Sequence, residues 1–461
     1  MQRLTMITLY EHKEKKYEDI EGNKETIQNA LIKLNSQFRT NFERIEKSDD
    51  NTDTEEELDE SRGVVEIYTK KVKARHYVGF AAVGNVFIQI LPKVFEPKSK
   101  DDDEETWNSL RAFVRMLDRA YGLNIREYDL AYLKGRKLRP NLYEVFVYLF
   151  AKSLWNEIQR GYHREYVELH SEEKFLRGKL LLNRQIRKLP HQLNMFSVEV
   201  HELIENNLLN RIFYACIREA MRRTTWSTNK KFLGELMLVF DSVTPIHITR
   251  EHFERVHFTR LNERFKRPFE LAKLLFMPAS GEGRAREISG FFVDMNKLFE
   301  KFIGKVIGKN LPDGYDMSYQ EEYPFLKNPS LRKENDTVLS QRPDYVIMRN
   351  DTPIIVLDAK YRELKRNTPD SDMARQLYVY SQILRKDSKY LPPTVLMFPS
   401  SRSYNPNLAD KHLKFEFFDG IELNIIAYDM ESLKEGNIKE ADKKFAEALR
   451  RILNGKGQNH P

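Results

Sequence analysis

The run Arg342-Pro343-Asp344-Tyr345, followed fourteen residues after Asp344 by Asp358-Ala359-Lys360, constrains this chain more than any other feature. The apolar stretch Ile354-Ile355-Val356-Leu357 leads directly into the charged triplet. Read as a strand, it places Val356, Asp358 and Lys360 on one face and Ile355, Leu357 and Ala359 on the other. An antiparallel partner running from Tyr345 to Met348, joined through the turn-forming Asn350-Asp351-Thr352-Pro353, lays Asp344 opposite the Asp358 end. Two carboxylates and an ammonium then meet at adjoining strand ends. Hard oxygen ligands of that kind hold Mg²⁺ while leaving waters in place. A metal so held acidifies a bound water and neutralises charge on a phosphate ester. The pattern therefore points to metal-assisted phosphodiester chemistry; the bland alternative is a surface hairpin with ordinary charges.

A chain of 461 residues exceeds one ordinary domain, and its periodicity changes twice. Residues 1–105 read as a β-rich domain with one helix, with strands near Met6–Tyr10, Val64–Lys71 and Tyr77–Leu91. Residues 106–285 read as a mainly helical domain with a β excursion at Glu165–Leu169 and Leu180–Leu182, and a helix from about 203 to 223. Residues 286–454 read as mixed α/β, opened by the helical stripe Met295, Leu298, Phe299, Phe302, Ile303, Val306 and Ile307. The fold class expected is α+β multidomain. Residues 455–461 read as a disordered tail, Gly281–Arg284 as a linker, and residues 97–105 as a linker between the first two domains.

Charge narrows the partners. The net charge is +7, yet residues 49–60 hold eight carboxylates, so the remainder is more basic than the total. Such a balance permits an anionic polymer as partner without demanding one. Arg160, His163, Arg164, Lys174, Arg177 and Lys179 cluster densely enough to track a phosphate backbone, or to form a solvated charged face. Gly178 between Arg177 and Lys179 suggests a tight turn or a close backbone approach. The single cysteine, Cys216, excludes an internal disulfide and reads as core. No histidine has metal-ligand spacing with further partners. No Gly-x-x-x-x-Gly-Lys-[Ser/Thr] loop is present, so the chain is not expected to bind nucleotide itself. No secretory signal and no membrane-length apolar run are seen, and the expected location is the cytoplasm.

Pro343-Asp344 and Asp358-Ala359-Lys360 resemble the core motif of the PD-(D/E)XK nuclease superfamily. That resemblance implies a restriction-endonuclease-like C-terminal domain. It also implies Mg²⁺ (or Mn²⁺) ligands at Asp344, Asp358 and Glu300, the last on the preceding helix. Catalytic roles are implied for Asp344, Asp358 and Lys360, with Gln376 and Tyr380 supplying the Gln-x-x-x-Tyr pair of the helix that follows. Phe175-Leu176-Arg177-Gly178-Lys179-Leu180, Glu205-Asn206-Asn207-Leu208-Leu209-Asn210-Arg211, Leu298–Phe302 and Val395-Leu396-Met397-Phe398-Pro399 are similar, in the same order, to McrC-like subunits of McrBC modification-dependent restriction systems. This narrower resemblance covers roughly residues 106–430. It implies a DNA endonuclease subunit that docks on, and stimulates, an McrB-type AAA+ GTPase hexamer, with double-stranded DNA as substrate. Lys70, Lys71, Lys73 and Arg75 in the first domain are candidate contacts to that motor or to DNA, as are Arg177 and Lys179 in the second. A stand-alone repair nuclease and a non-catalytic activator of an AAA+ motor are the alternatives.

Overall fold

The computed structural model describes residues 5–37, 63–96, 103–136, 138–277, 288–327, 337–385, 391–409 and 411–454. The acidic run at 49–60, the Gly281–Arg284 segment and the tail at 455–461 lie outside them. Helices and five sheets alternate along the described residues, giving a mixed α+β chain. It gathers into two compact units, one made of Met1–Ala81, Asn85–Leu142 and Phe292–Pro461, the other of Ala82–Gly84 and Tyr143–Phe291. Among the described residues no helix is long and apolar enough to cross a membrane.

The first unit is built around a six-stranded sheet in the order Asp316–Tyr319, Tyr345–Arg349, Thr352–Ala359, Thr394–Ser400, Glu422–Asp429, Leu413–Glu416. Thr352–Ala359 runs parallel to Thr394–Ser400, which runs parallel to Glu422–Asp429; the remaining pairs are antiparallel. The central strands are buried on both faces, so Ile355, Val356 and Leu357 are all inaccessible. Val346, Val356, Leu396 and Ile425 pack on Met373, Leu377 and Tyr380 of the helix Ser371–Ile383. Helices Met295–Asn310 and Ile438–Asn454 also pack on the sheet. The expected apolar stripe of Met295–Asn310 is buried throughout.

The same unit holds the N-terminal strands. Thr5–Tyr10 pairs in parallel with Val86–Leu91, and a small antiparallel sheet runs in the order Glu14–Lys16, Lys71–Ala74, Val65–Ile67. Helix Asp103–Tyr121 ties this part to the C-terminal part. Arg119 pairs with Asp442 at 2.7 Å, and Arg115 donates to the carbonyl of Leu433 while gripping Glu127 through two bonds of 2.6 Å. Residues 103–105, expected in a linker, instead open this helix. Three carboxylates in a first turn are favoured by the helix dipole, which explains the difference.

The second unit packs helices Leu142–Gln159, Leu208–Arg223, Ser227–Val239 and Lys266–Phe276 around an aromatic core that includes Phe150, Phe213, Phe240 and Phe265. Cys216 is fully buried there, as expected. Helix Ser227–Val239 has no side-chain cap of its own. The buried Glu144 of the neighbouring helix instead fastens the residues leading into it, accepting from the Thr225 hydroxyl (2.7 Å), Trp226 N (3.3 Å) and Asn229 Nδ2 (2.8 Å), and from Thr224. The β excursion is larger than the sequence pattern suggests: Glu165–Glu173 pairs along its whole length with Phe196–Ile204, and Lys179–Leu180 pairs on the other side. Residues 203–204 therefore end a strand, and the helix begins at Leu208, capped by Asn207.

Candidate active site

Strand Tyr345–Arg349 turns back at Asn350 and Asp351, whose φ values of 48° and 57° make the two-residue left-handed turn that suits a twisted hairpin. Thr352 and Pro353, expected in the turn, open the next strand. Met348 pairs with Pro353, but Ile347 pairs with Ile355, so Ile354 is the extra residue of a β-bulge. This bulge decides the site. It sets Tyr345 across from Leu357, which brings Asp344 across from Asp358. With the same turn and no bulge, Asp344 would lie across from Leu357, and the two carboxylates would face opposite sides of the sheet.

The expected hairpin thus brings Asp344 and Asp358 together at the C-terminal end of a central strand. Asp344 Oδ2 accepts a 2.7 Å bond from Ala359 N. Asp358 is 1% exposed. Its Oδ2 lies 2.8 Å from Lys360 Nζ, an ion pair without hydrogen-bond alignment. Lys360 Nζ donates to Gln376 Oε1 at 3.0 Å, Gln376 Nε2 donates to the Tyr380 hydroxyl at 2.6 Å, and that hydroxyl donates to the Arg342 carbonyl at 3.3 Å. The i, i+4 pair of helix Ser371–Ile383 therefore anchors the lysine beside the carboxylates. Asp370 starts that helix by accepting from Met373 N at 2.9 Å.

Glu300 reaches the same end of the sheet from helix Met295–Asn310. Gly304 permits the approach: a Cβ there would lie 2.8 Å from the Tyr345 ring, whose hydroxyl donates to the Glu300 carbonyl. The Glu300 carboxylate accepts from Gln320 Nε2 at 2.6 Å, while Gln320 N donates to the Asp344 carbonyl at 3.0 Å. Gln320, at φ 48°, thus ties the third carboxylate to the first. Nothing in the sequence singles it out, because its role comes from a left-handed bend after a short edge strand.

Burial pushes the Asp344 carboxyl up to about 8, and the charges of Asp358 and Glu300 add to the rise against the Ala359 bond and Lys360. Burial also raises Glu300, opposed by bonds from Tyr319 and Gln320 and reinforced by Asp358. Three carboxylates crowded out of water, one with an oxygen lacking a hydrogen-bond partner, are hard oxygen donors of the type a divalent cation takes, although their oxygens are not gathered within 4.8 Å of one another as the ligand atoms of Glu168, His170 and Glu199 are. A test follows from the sign of the Asp344 shift. Its unfolded value is 3.8 and its folded value about 8, so the ionised form costs stability progressively as pH rises between them. Asp344→Asn, which can keep the Ala359 bond, is expected to raise the Tm of metal-free protein by about 5 °C at pH 8 and to change it little at pH 5. Equal shifts at both pH values would remove this electrostatic account.

The basic candidates lie elsewhere. Lys71 pairs with Glu14 at 3.3 Å, while Lys73 and Arg75 share Glu66 at 3.6 and 3.3 Å. Lys70 is exposed in the turn before strand Lys71–Ala74. Arg177 and Lys179 are exposed in the second unit, beside Glu202 at 3.5 Å and Glu199 at 3.4 Å. Gly178 has φ +79°, and a Cβ on it would fall 2.3 Å from the Glu199 carbonyl oxygen, so both expected reasons for a glycine hold. Strand pairing also gathers Glu168, His170 and Glu199, each with a ligand atom within 4.8 Å of the others. The sequence pattern did not reveal this cluster, which depends on cross-strand register. His170 lies 3.4 Å from Glu168, and Lys179 pairs with Glu199 at 3.4 Å.

The chain is thus of the mixed α+β class, with two carboxylates and a lysine at the end of a central strand of a mixed sheet and a helix carboxylate brought to the same end. The model of the McrBC 5-methylcytosine restriction system component family matches residues 72–399, and the chain belongs to that family. Among solved structures, it is 63% identical to a chain of the refined half-complex from the tetradecameric assembly of Thermococcus gammatolerans McrB AAA+ hexamers with bound McrC. That match has a TM-score of 0.78 and covers 97% of this chain and 100% of that one. It is 70% identical to a chain of the Thermococcus gammatolerans McrBC complex solved by cryo-EM, with a TM-score of 0.57, over 67% of this chain and 89% of that one. No curated protein matches the chain.

Proposed function

We propose that this chain is the Mg²⁺-dependent DNA endonuclease subunit of a modification-dependent restriction complex, docking on an McrB-type AAA+ GTPase hexamer and stimulating it. The observation that carries the reading is the bulged hairpin that sets Asp344 across from Asp358, with Lys360 at the same strand end. The six-stranded sheet, with helices Met295–Asn310 and Ser371–Ile383, then serves as a PD-(D/E)XK core. Membership of the McrBC family, and likeness to a chain solved in an assembly of McrB AAA+ hexamers with bound McrC, support the partner.

In this reading Asp344 and Asp358 hold the cation, with Glu300 completing its ligands. The cation, Mg²⁺ or Mn²⁺, supplies an acidified water and neutralises phosphate charge. Lys360, fixed by Gln376 and Tyr380, orients the attacking water and stabilises negative charge on the phosphate. Gln320 holds Glu300 in register with Asp344. Lys70, exposed in its turn, and the strand behind it with Lys71, Lys73 and Arg75 are proposed to face the motor or DNA, and Arg177 and Lys179 to contact the partner or the DNA backbone.

The test is reconstitution: this chain with an McrB-type hexamer, methylated double-stranded DNA, GTP and Mg²⁺, each omitted in turn. Cleavage is expected only in the complete mixture. Equal cleavage without motor and GTP would favour a stand-alone nuclease, and stimulated GTP hydrolysis without any cleavage would favour a non-catalytic activator.

A further inference from the structure

The residue that follows Lys360 is Tyr361, which points to the other face of the sheet and is 3% exposed. Its ring packs on Phe299, the neighbour of Glu300, with centroids 5.7 Å apart, and stacks on Tyr404 at 6.3 Å with an interplanar angle of 22°. One aromatic contact therefore links the residue next to the candidate lysine with the residue next to the helix carboxylate.

What holds that ring comes from the far end of the sequence. Lys93 Nζ lies 5.2 Å from the Tyr361 ring centroid and 5.3 Å from that of Tyr404, bridging two nearly parallel rings. The ammonium is 3.9 Å from Glu11 Oε1, and Glu11 Oε2 accepts from Lys93 N at 3.5 Å. Glu11 is itself 1% exposed, directly after strand Thr5–Tyr10. Burial lowers the Lys93 pKa while Glu11 pulls it back. A buried carboxylate thus keeps a cation where aromatic packing alone would select an apolar side chain. The neighbouring Val94 carbonyl accepts from Ser401 Oγ at 3.0 Å, so the backbone here is fastened to the loop that carries Tyr404. A cation bound to two ring faces prefers one ring geometry; an apolar side chain of similar size fills the space without that preference.

We propose that Lys93, held by Glu11, is a positioning residue for cleavage: through Tyr361 and Tyr404 it fixes the spacing between Lys360 and Glu300 without touching the DNA. The inference rests on the endonuclease reading above. It adds a role for the N-terminal strands that is separate from docking, namely completing the geometry of a site more than 200 residues further along the chain.

The experiment uses the full chain in the reconstituted complex. Wild type is the first arm: if it fails to cleave under any omission pattern, the endonuclease reading fails and the positioning role goes with it. The informative variant is the double replacement Lys93→Met with Glu11→Gln, which removes both charges together and so leaves no buried charge unpaired. Its kcat for cleavage is expected to fall about tenfold, with KM for DNA, stimulation of GTP hydrolysis by the motor and Tm close to wild type. Lys93→Arg retains a cation over the rings and is expected to stay within about threefold of wild type. Wild-type kcat in the double variant would overturn the proposal. So would a parallel loss of cleavage and GTPase stimulation, which would place the pair in docking, or equal impairment of Lys93→Arg and the double variant, which would reduce it to packing. Should the double variant not fold, Tyr404→Leu leaves the ion pair intact and removes one ring. It is then expected to lower kcat about threefold, and wild-type kcat would again overturn the role.

Discussion

Asp358→Ala is expected to lower Mg²⁺-dependent DNA cleavage by about a thousandfold or more while the chain folds, docks and stimulates GTP hydrolysis as wild type does. Asp358 is almost completely buried, and a buried ionised group is normally replaced only at a heavy cost in stability. Here the sign differs. The Asp358 charge raises both Asp344 and Glu300, so removing it relieves repulsion in metal-free protein. Lys360 loses its 2.8 Å pairing but keeps Gln376 at 3.0 Å and remains partly open to solvent. A Tm within a few degrees of wild type is therefore expected. Cleavage by the variant within tenfold of wild type would refute the site, and lost GTPase stimulation would mean that the variant had disturbed more than the site.

Glu144→Ala should produce the largest loss of stability. The carboxylate is fully buried and holds the residues that lead into helix Ser227–Val239, which has no side-chain cap. Removing it takes a partner from the buried Thr224 hydroxyl, from Trp226 N and from Asn229 in the second unit, while the exposed Thr225 can turn to water. Each buried polar group left unsatisfied costs about 1–3 kcal/mol; Asn229 Nδ2 retains the Glu144 carbonyl at 2.9 Å, which limits the sum. A loss of about 4 kcal/mol, or about 10 °C in the melting of that unit, is expected. Because Glu144 makes these bonds within the second unit, calorimetry should show its transition moving further than that of the first. A shift under about 2 °C would show that water replaces the carboxylate at no cost.

The sequence makes the chemistry legible and hides its supports. Asp344, Asp358 and Lys360 can be read because an apolar run ending in charge is rare and alternation fixes which residues share a face. Gln376 and Tyr380 are legible only through the family resemblance; helical spacing adds that they share one face, and their bond bears that spacing out. The strand Phe196–Ile204 is harder to see along its whole length: the alternation of Phe196, Val198 and Val200 lapses at Glu202, where burial also falls away. Gln320 acts through a backbone bend, and Glu11 and Lys93 through packing across most of the chain. None of these leaves a periodic trace. The basic residues at 70–75 look like a free positive run in one dimension, whereas strand pairing sets carboxylates beside Lys71, Lys73 and Arg75.

The bulge at Ile354 also bears on how such sites are searched for. The interval between the two carboxylates is a property of the turn, and chemistry asks only that both lie on one side of the sheet. A two-residue turn with one bulge gives fourteen residues, and a longer turn with none can give the same count. A relative that lost the bulge residue would present the same two carboxylates side by side at a shorter interval. Patterns written as fixed gaps would pass over it, whereas patterns written as parity, counting strand steps and odd residues separately, would not.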